Sequence, residues 1–310
     1  MTDRLAVYES AESDTVSSCP GGPGAWREGN GVKRLLTLSA ALVGALAIGL
    51  VPAGAITNGT PDGEGHPYVG LMVAKNAAGV PLFRCSGTLM SETRYMTAGH
   101  CTDGAASIEI WFSSGSPNGI PLGTGYPAAG SNPCAGVMGY PCTGDVSGTP
   151  NTHPQYDPSA FFLHDLGVVT LDENVTGRGF GALPTQGVLS LLGKHTSMTA
   201  VGYGLQRSFP DAAAFKDEAV RIRMVATPRI SGIDNNFVGD FAFTTSHDAS
   251  RGGTCFGDSG GPNFIGDSNV VGGVTSFGTT STCKGHNGAY RVDQPDDLLW
   301  LATFGLTPGT

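Results

Sequence analysis

The chain has 310 residues, 17 Lys and Arg against 26 Asp and Glu, and a formal net charge of −9. An acidic balance of this size argues against nucleic acid or an anionic membrane as partner. The length admits one large domain or two small ones, and leaves the fold class open.

Residues 1–31 hold the Gly/Pro/Ser-rich run "SSCPGGPGAWREGNG", which cannot bury a core. We expect this leader to be either disordered or a mis-assigned start, with translation beginning at Val32. Lys33-Arg34 then precede the uncharged apolar run Leu35 to Val51, and Ala53-Gly54-Ala55 has the small-residue form that signal peptidase cuts after. Residues 32–55 therefore read as a signal peptide, with an uncleaved anchor as the alternative. In either case the basic flank directs the remaining chain outward, and a secreted, extracellular protein is expected. A cut after Ala55 leaves 255 residues starting at Ile56 and, by removing four basic and five acidic side chains, a net charge of −8.

Beyond Ile56, short apolar stretches alternate with Gly, Pro, Asn and Ser. "YVGLMVA" (68–74), "SIEIWF" (107–112), "LGVVTL" (166–171), "SMTAVGYG" (197–204), "AVRIRMV" (219–225) and "NVVGGVTSF" (269–277) have the length and the β-branched content of strands. Residues 115–160 are rich in Gly and Pro and too long for an ordinary connection, so they read as a surface insertion. The only long helical pattern is "DQPDDLLWLATFG" (293–305). Pro295 suits its first turn, Asp296 and Asp297 its positive end, and Gly305 its stop. An all-β body with one C-terminal helix is the coarse expectation.

Cys19 falls in the leader, which leaves Cys85, Cys101, Cys134, Cys142, Cys255 and Cys283. Six cysteines in an exported chain imply three disulfides, with fifteen pairings open. Cys134 and Cys142 would close a local loop inside the insertion. No C-x-x-C or H-E-x-x-H spacing points to a metal, and no cofactor is expected.

Three segments carry chemistry: "TAGHC" (97–101), "HDLGVVTL" (164–171) and "GTCFGDSGGP" (253–262). Acyl transfer needs a nucleophile, a base to take its proton, a group orienting that base, and donors facing the oxyanion. Ser259 can be the nucleophile, His100 the base and Asp165 the orienting carboxylate, while Gly257 and Ser259 can offer backbone N–H groups. Asp145 and Asp157 compete for the place of Asp165, but both lie in the irregular stretch.

In this order the segments resemble the trypsin/chymotrypsin-like serine proteases, over essentially all of residues 56–310. Supporting matches are Cys85-Ser86-Gly87-Thr88-Leu89, Gly202-Tyr203-Gly204, Ser276-Phe277-Gly278 and "GAYRV" (288–292). The resemblance implies two antiparallel six-stranded β-barrels, about 56–178 and 179–310, with the triad in the cleft between them. It pairs Cys85 with Cys101 and Cys255 with Cys283, leaving Cys134 with Cys142. It assigns Gly253 to the base of the primary specificity pocket and places Ser276, Phe277, Gly278 and Gly288 along the bound substrate. No carboxylate stands at that base and its walls are glycine, so an open slot for large apolar side chains is expected. It also implies that a new N-terminal ammonium at Ile56 pairs with Asp258. A secreted bacterial member, monomeric, acting on proteins or peptides and open to proteinaceous inhibitors, is expected.

The chain departs from the family pattern at Thr57-Asn58 (usually Val-Gly), at Gly99 (usually Ala) and at Phe277 (usually Trp). Two other functions compete. Gly257-Asp258-Ser259-Gly260-Gly261 also fits the G-x-S-x-G elbow of esterases, but no helix-forming sequence follows it and only His286 lies beyond it. A catalytically inactive homologue that acts by binding is the other.

Overall fold

The computed structural model describes residues 56–115, 144–208, 217–218 and 221–309. The leader, the signal peptide, most of the 115–143 stretch and the Cys134–Cys142 pair lie outside the described residues.

Sixteen strands and one α-helix are found among the described residues: β1 (Thr60–Pro61), β2 (Val69–Lys75), β3 (Pro81–Ser91), β4 (Arg94–Thr97), β5 (Ser107–Trp111), β6 (Val146–Thr152), β7 (Gly167–Leu171), β8 (Met198–Gly202), β9 (Arg207–Ser208), β10 (Asp217–Glu218), β11 (Met224–Ala226), β12 (Arg229–Asn235), β13 (Gly239–His247), β14 (Pro262–Ile265), β15 (Val271–Gly278), β16 (Gly285–Arg291) and α1 (Pro295–Ala302). The six expected strand segments all contain strands. Every ladder is antiparallel.

The first half closes into a barrel in the order β2-β3-β4-β7-β6-β5. Closure removes free strand edges and lets alternate side chains fill the interior. Met72, Leu89, Tyr95, Ile108, Ile110 and Val169 do so. The outward residues of β2 are buried as well, because Leu71 and Val73 pack with Trp111 against Tyr203 of the second half. That is why "VGLMVAK" lacks a polar face and is buried along its whole length.

The reading of 115–160 as a surface insertion needs correcting, because β6 lies inside it and is a barrel strand. Its sequence, VSGTPNT, has almost no apolar signal. Position is fixed instead by backbone pairing to β5 on one side and β7 on the other. Gly148 packs where a side chain would collide with Val169 and Thr170.

The second half forms an eight-stranded sheet in the order β1-β11-β8-β14-β15-β16-β13-β12. Its far edge returns to β8: Ser197 bridges Arg229, Met198 N–H donates to Pro228 O at 2.9 Å and Ile230 N–H to Thr196 O at 2.9 Å. The ring β8-β14-β15-β16-β13-β12 is thus joined on one side by a single bridge rather than a ladder. Among the described residues β9 and β10 pair only with each other.

The helix α1 starts at Pro295, buries Asp297, Leu298 and Leu301, and ends before Gly305, whose φ of +79° suits the glycine stop. Leu298, Leu301 and Leu306 join the same core cluster as the first-barrel residues, so the helix packs across both halves.

Candidate active site

His100 sits in a single 3-10 turn, Gly99–Cys101, directly after β4. The Cys85–Cys101 disulfide fastens that turn to β3. Gly99 lies close to Leu166 and the Tyr156 ring, so the glycine in place of alanine relieves a tight contact. Asp165 stands at the apex of a three-residue turn in which Leu166 N–H donates back to His164 O at 2.7 Å. His164 has φ +50°, a left-handed conformation uncommon outside glycine.

The Asp165 carboxylate is fully buried and receives three groups. Oδ1 accepts from the His100 backbone N–H at 2.9 Å, Oδ2 lies 2.9 Å from His100 Nδ1, and the Ser276 hydroxyl donates to Oδ2 at 2.6 Å. Ser276, assigned from sequence to the substrate, therefore turns its side chain to the carboxylate instead. Burial disfavours the imidazolium of His100, but the charge and hydrogen bond of Asp165 outweigh it and raise the pKa above 6.5. The two competing carboxylates are engaged elsewhere. Asp145 accepts from Phe112 N–H at 2.8 Å, and Asp157 caps the turn at Ser159 at 2.8 Å.

Ser259 lies in a tight turn between the Cys255–Cys283 disulfide and β14. Gly257 and Gly260 have φ of +89° and +75°, which only glycine adopts without strain. A side chain at Gly260 would collide with Thr97 and Ala98, so the turn carrying Ser259 packs on the strand end that precedes His100. Ser86 N–H also donates to Ser259 O at 2.8 Å, tying the turn to β3. Among the described residues no hydrogen bond joins Ser259 Oγ to His100. The backbone N–H groups of Gly257 and Ser259 likewise have no acceptor among them.

Asp258, next to Ser259, is also fully buried. It accepts from Gly204 N–H at 2.8 Å and Cys255 N–H at 2.9 Å. Gly202 and Gly204 are glycines because a side chain at either would run into this carboxylate. Burial pushes its pKa up to about 7, against the smaller opposing effects of those two N–H bonds and the Arg84 guanidinium. Ile56 is buried among Ala200, Ile222, Met224 and Ala226. Here its nitrogen is a peptide nitrogen, and among the described residues it makes no hydrogen bond to Asp258. Thr57 bridges Gly253, and Asn58 has φ +58°, a region where asparagine is tolerated. The Thr57 hydroxyl lies 3.0 Å from His247 Nε2, a contact valine could not make, and the left-handed backbone at 58 suits asparagine where the usual residue is glycine.

Thr254, Cys255, Ser259, Thr275, Ser276, Phe277 and Asn287 line a cavity of about 10 Å³, barely room for one water. No charged side chain lines it. Gly253 is backed by His247, whose Cβ and Cγ would lie 2.8 Å from a side chain there. The expected open slot needs correcting: the Phe277 ring covers Gly288 where a Cβ would stand, and so fills the space the glycine leaves. Gly278, at the end of β15, pairs with Asn287. Asn287 and His247 carry no local sequence signal; only the sheet register brings them to this place.

A closed antiparallel barrel followed by a second antiparallel sheet, a part-exposed histidine on a buried aspartate, and a serine in a glycine turn are the features to set beside known proteins. The sequence profile of the trypsin family matches residues 142–296. Brachyurin from Leptuca pugilator is 30% identical over 237 residues, covering 73% of this chain and 90% of that protein. A solved collagenase, HL collagenase, superposes with a TM-score of 0.60 at 18% identity, over 81% of this chain and 100% of that one. Human heparin binding protein does so at 0.56 and 20%, over 82% and 100%. The chain belongs to the trypsin family and is a serine-type peptidase, a hydrolase.

Proposed function

We propose that this is a secreted, monomeric endopeptidase in which Ser259 attacks the scissile carbonyl, His100 takes and returns its proton, and Asp165 holds the imidazole. The observation that carries this is the bond between His100 Nδ1 and the buried Asp165, locked by Ser276. It leaves Nε2 as the nitrogen available to a nucleophile. The free N–H groups of Gly257 and Ser259 form the oxyanion hole. A binding-only homologue would have no need of this arrangement, and the elbow of an esterase would be followed by a helix where β14 runs here.

A cut after Ala55 makes the Ile56 ammonium that pairs with Asp258. Ile56 is β-branched yet has φ +59°, a costly conformation that exists only while the 55–56 peptide bond does. A raised carboxylate pKa also marks a site that gains from an incoming cation. Signal peptidase supplies the cut, with no separate activation step, and the enzyme then leaves the membrane.

Substrates are proteins or peptides, cut after Phe, Tyr, Leu or Met. A Lys or Arg side chain at Gly253 would meet no carboxylate, at a cost of roughly 3–5 kcal/mol for an unpaired buried charge. Entry of a large ring requires Phe277 to turn aside from Gly288. Proteinaceous inhibitors fit the same cleft. The test is labelling of the secreted protein with a serine-directed phosphonate, followed by mass mapping and N-terminal sequencing. Modification of Ser259 in a chain starting at Ile56 supports the reading. Unmodified Ser259 in a preparation that hydrolyses peptides overturns it.

A further inference from the structure

We propose that His153, His164 and Asp297 form a binding site for one divalent transition-metal ion of the zinc class, between the loop before Asp165 and the first turn of α1. The site is separate from the peptidase chemistry and does not depend on it.

His153 and Asp297 are buried, and the side chain of His164 is about a quarter exposed. One ligand atom from each lies within 4.8 Å of the others. Two polar atoms of the cluster, His164 Nδ1 and Asp297 Oδ1, are buried with no hydrogen-bond partner. Folded proteins rarely leave such atoms unpaired, because desolvation is then uncompensated. The Tyr290 hydroxyl donates to Asp297 Oδ2 at 2.8 Å, which fixes the carboxylate and leaves Oδ1 facing His153 Nε2 at 3.5 Å. Two ligands on a tetrahedral zinc with bonds of about 2.0–2.1 Å stand about 3.4 Å apart. Asp296 Oδ2, more exposed, lies 3.6 Å from His164 Nδ1 and shares the fourth position with water. Trp300 closes one wall, edge-on to His153 at 4.8 Å. Two imidazoles with carboxylate oxygen suit zinc and its neighbours, whereas calcium and magnesium take oxygen alone.

Loading requires two local movements. The His153 and His164 rings are stacked at 5.0 Å and 8°, so one ion cannot lie in both ring planes. His164, at the surface, is the ring that turns. The 3.2 Å contact from Gln155 N–H to His153 Nδ1 is given up as that nitrogen takes the ring proton and Nε2 takes the metal. Residues 153, 164 and 297 share no motif spacing, which is why the sequence reading expected no metal.

The test uses metal-stripped full chain carrying Ser259→Ala, titrated with Co²⁺ and then Zn²⁺. One Co²⁺ per chain with the visible band of a tetrahedral site, displaced by Zn²⁺, is expected, together with a rise in Tm. His164→Asn keeps a residue tolerant of the left-handed backbone, and Asp297→Asn keeps an acceptor for Tyr290. Each should weaken Co²⁺ binding by more than about tenfold. If Asp297→Asn does not fold, His164→Asn decides alone. No stoichiometric band in the parent, or binding unchanged by the substitutions, overturns the assignment.

Discussion

Asp165 and Asp258 are both fully buried carboxylates, one against His100 and the other adjoining Ser259, yet their surroundings differ. Asp165 is met by an imidazole, a backbone N–H and a hydroxyl, all within 2.9 Å. Asp258 accepts two backbone N–H groups and is pushed up to about 7. At that value, ionising it in place costs roughly 4 kcal/mol relative to an ordinary carboxylate. The first-barrel His100–Asp165 pair is therefore fully partnered in this structure. The second-barrel side holds a carboxylate with no cationic side chain hydrogen-bonded to it among the described residues, which is the place the proposed Ile56 ammonium would fill.

The most severe perturbation removes the proposed nucleophile, which stands in the second half facing the partnered His100–Asp165 pair. Ser259→Ala is expected to lower kcat by about a million-fold, and His100→Ala by a similar factor. The double variant should lose little more, since the two act as one unit. Substantial peptide hydrolysis by purified Ser259→Ala would end the triad assignment. Asp165→Asn should cost about 10⁴ in kcat, because an amide offers one acceptor oxygen where two are used and favours the wrong tautomer of His100. A pH series sharpens this. The pKa of His100 is raised in the fold, so its contribution to stability is full below about 6.5 and is lost as pH rises through the folded value. Tm should fall over that window in Ser259→Ala, and the step should vanish when Asp165→Asn is added.

The same contrast separates what was legible in the sequence from what was not. His100, Asp165 and Ser259 carry dense local signals: a histidine beside a cysteine, an aspartate opening an apolar strand, a glycine-flanked serine. Strands with an apolar face, such as β2, β7 and β15, were equally clear. β6 was not, because VSGTPNT is held by backbone pairing on both sides and owes little to its side chains. The two described disulfides carry no signal of their own; spacing leaves fifteen pairings open, and only the family resemblance implied these two. Nor could spacing show that Ser276 turns to Asp165, that Phe277 covers Gly288, or that His247 backs Gly253. Those contacts arise from register between strands far apart in the chain.

The waiting, second-barrel side is tested by blocking the N-terminus that the proposed cut would create. One extra residue before Ile56 should give a folded protein with kcat lowered by about 10²–10³, the loss expected when an oxyanion donor is misplaced. In this blocked form the pKa of Asp258 is raised, so its contribution to stability is full below 3.8 and declines as pH rises through about 7. In the form starting at Ile56 the ammonium offsets that decline, and activity should instead fall as pH rises above the amine's own value of about 7.7–8.0. Equal activity in the two forms would sink the pairing.

The smallest expected effect concerns Phe277, which lies on the waiting side and fills the room a substrate ring would need. The ring sits over Gly288 and packs with Val238 and Ala242, and the cavity beside Ser259 is only about 10 Å³. Before a large side chain can bind ahead of the cut, that ring must leave its contacts, which weakens ground-state and transition-state binding alike. Phe277→Ala removes the obstruction without touching the triad. It should lower KM for substrates with Phe or Tyr before the cut by about tenfold, the effect of one to two kcal/mol, while kcat changes little. Substrates with Ala at that place, which do not need the ring to move, should gain nothing. Gly253→Asp tests the charge of the same pocket; it requires His247 to yield to the new Cβ, and should then raise the share of cuts after Lys and Arg. A KM that rises for the large residues in Phe277→Ala would mean that the ring binds substrate rather than standing in its way.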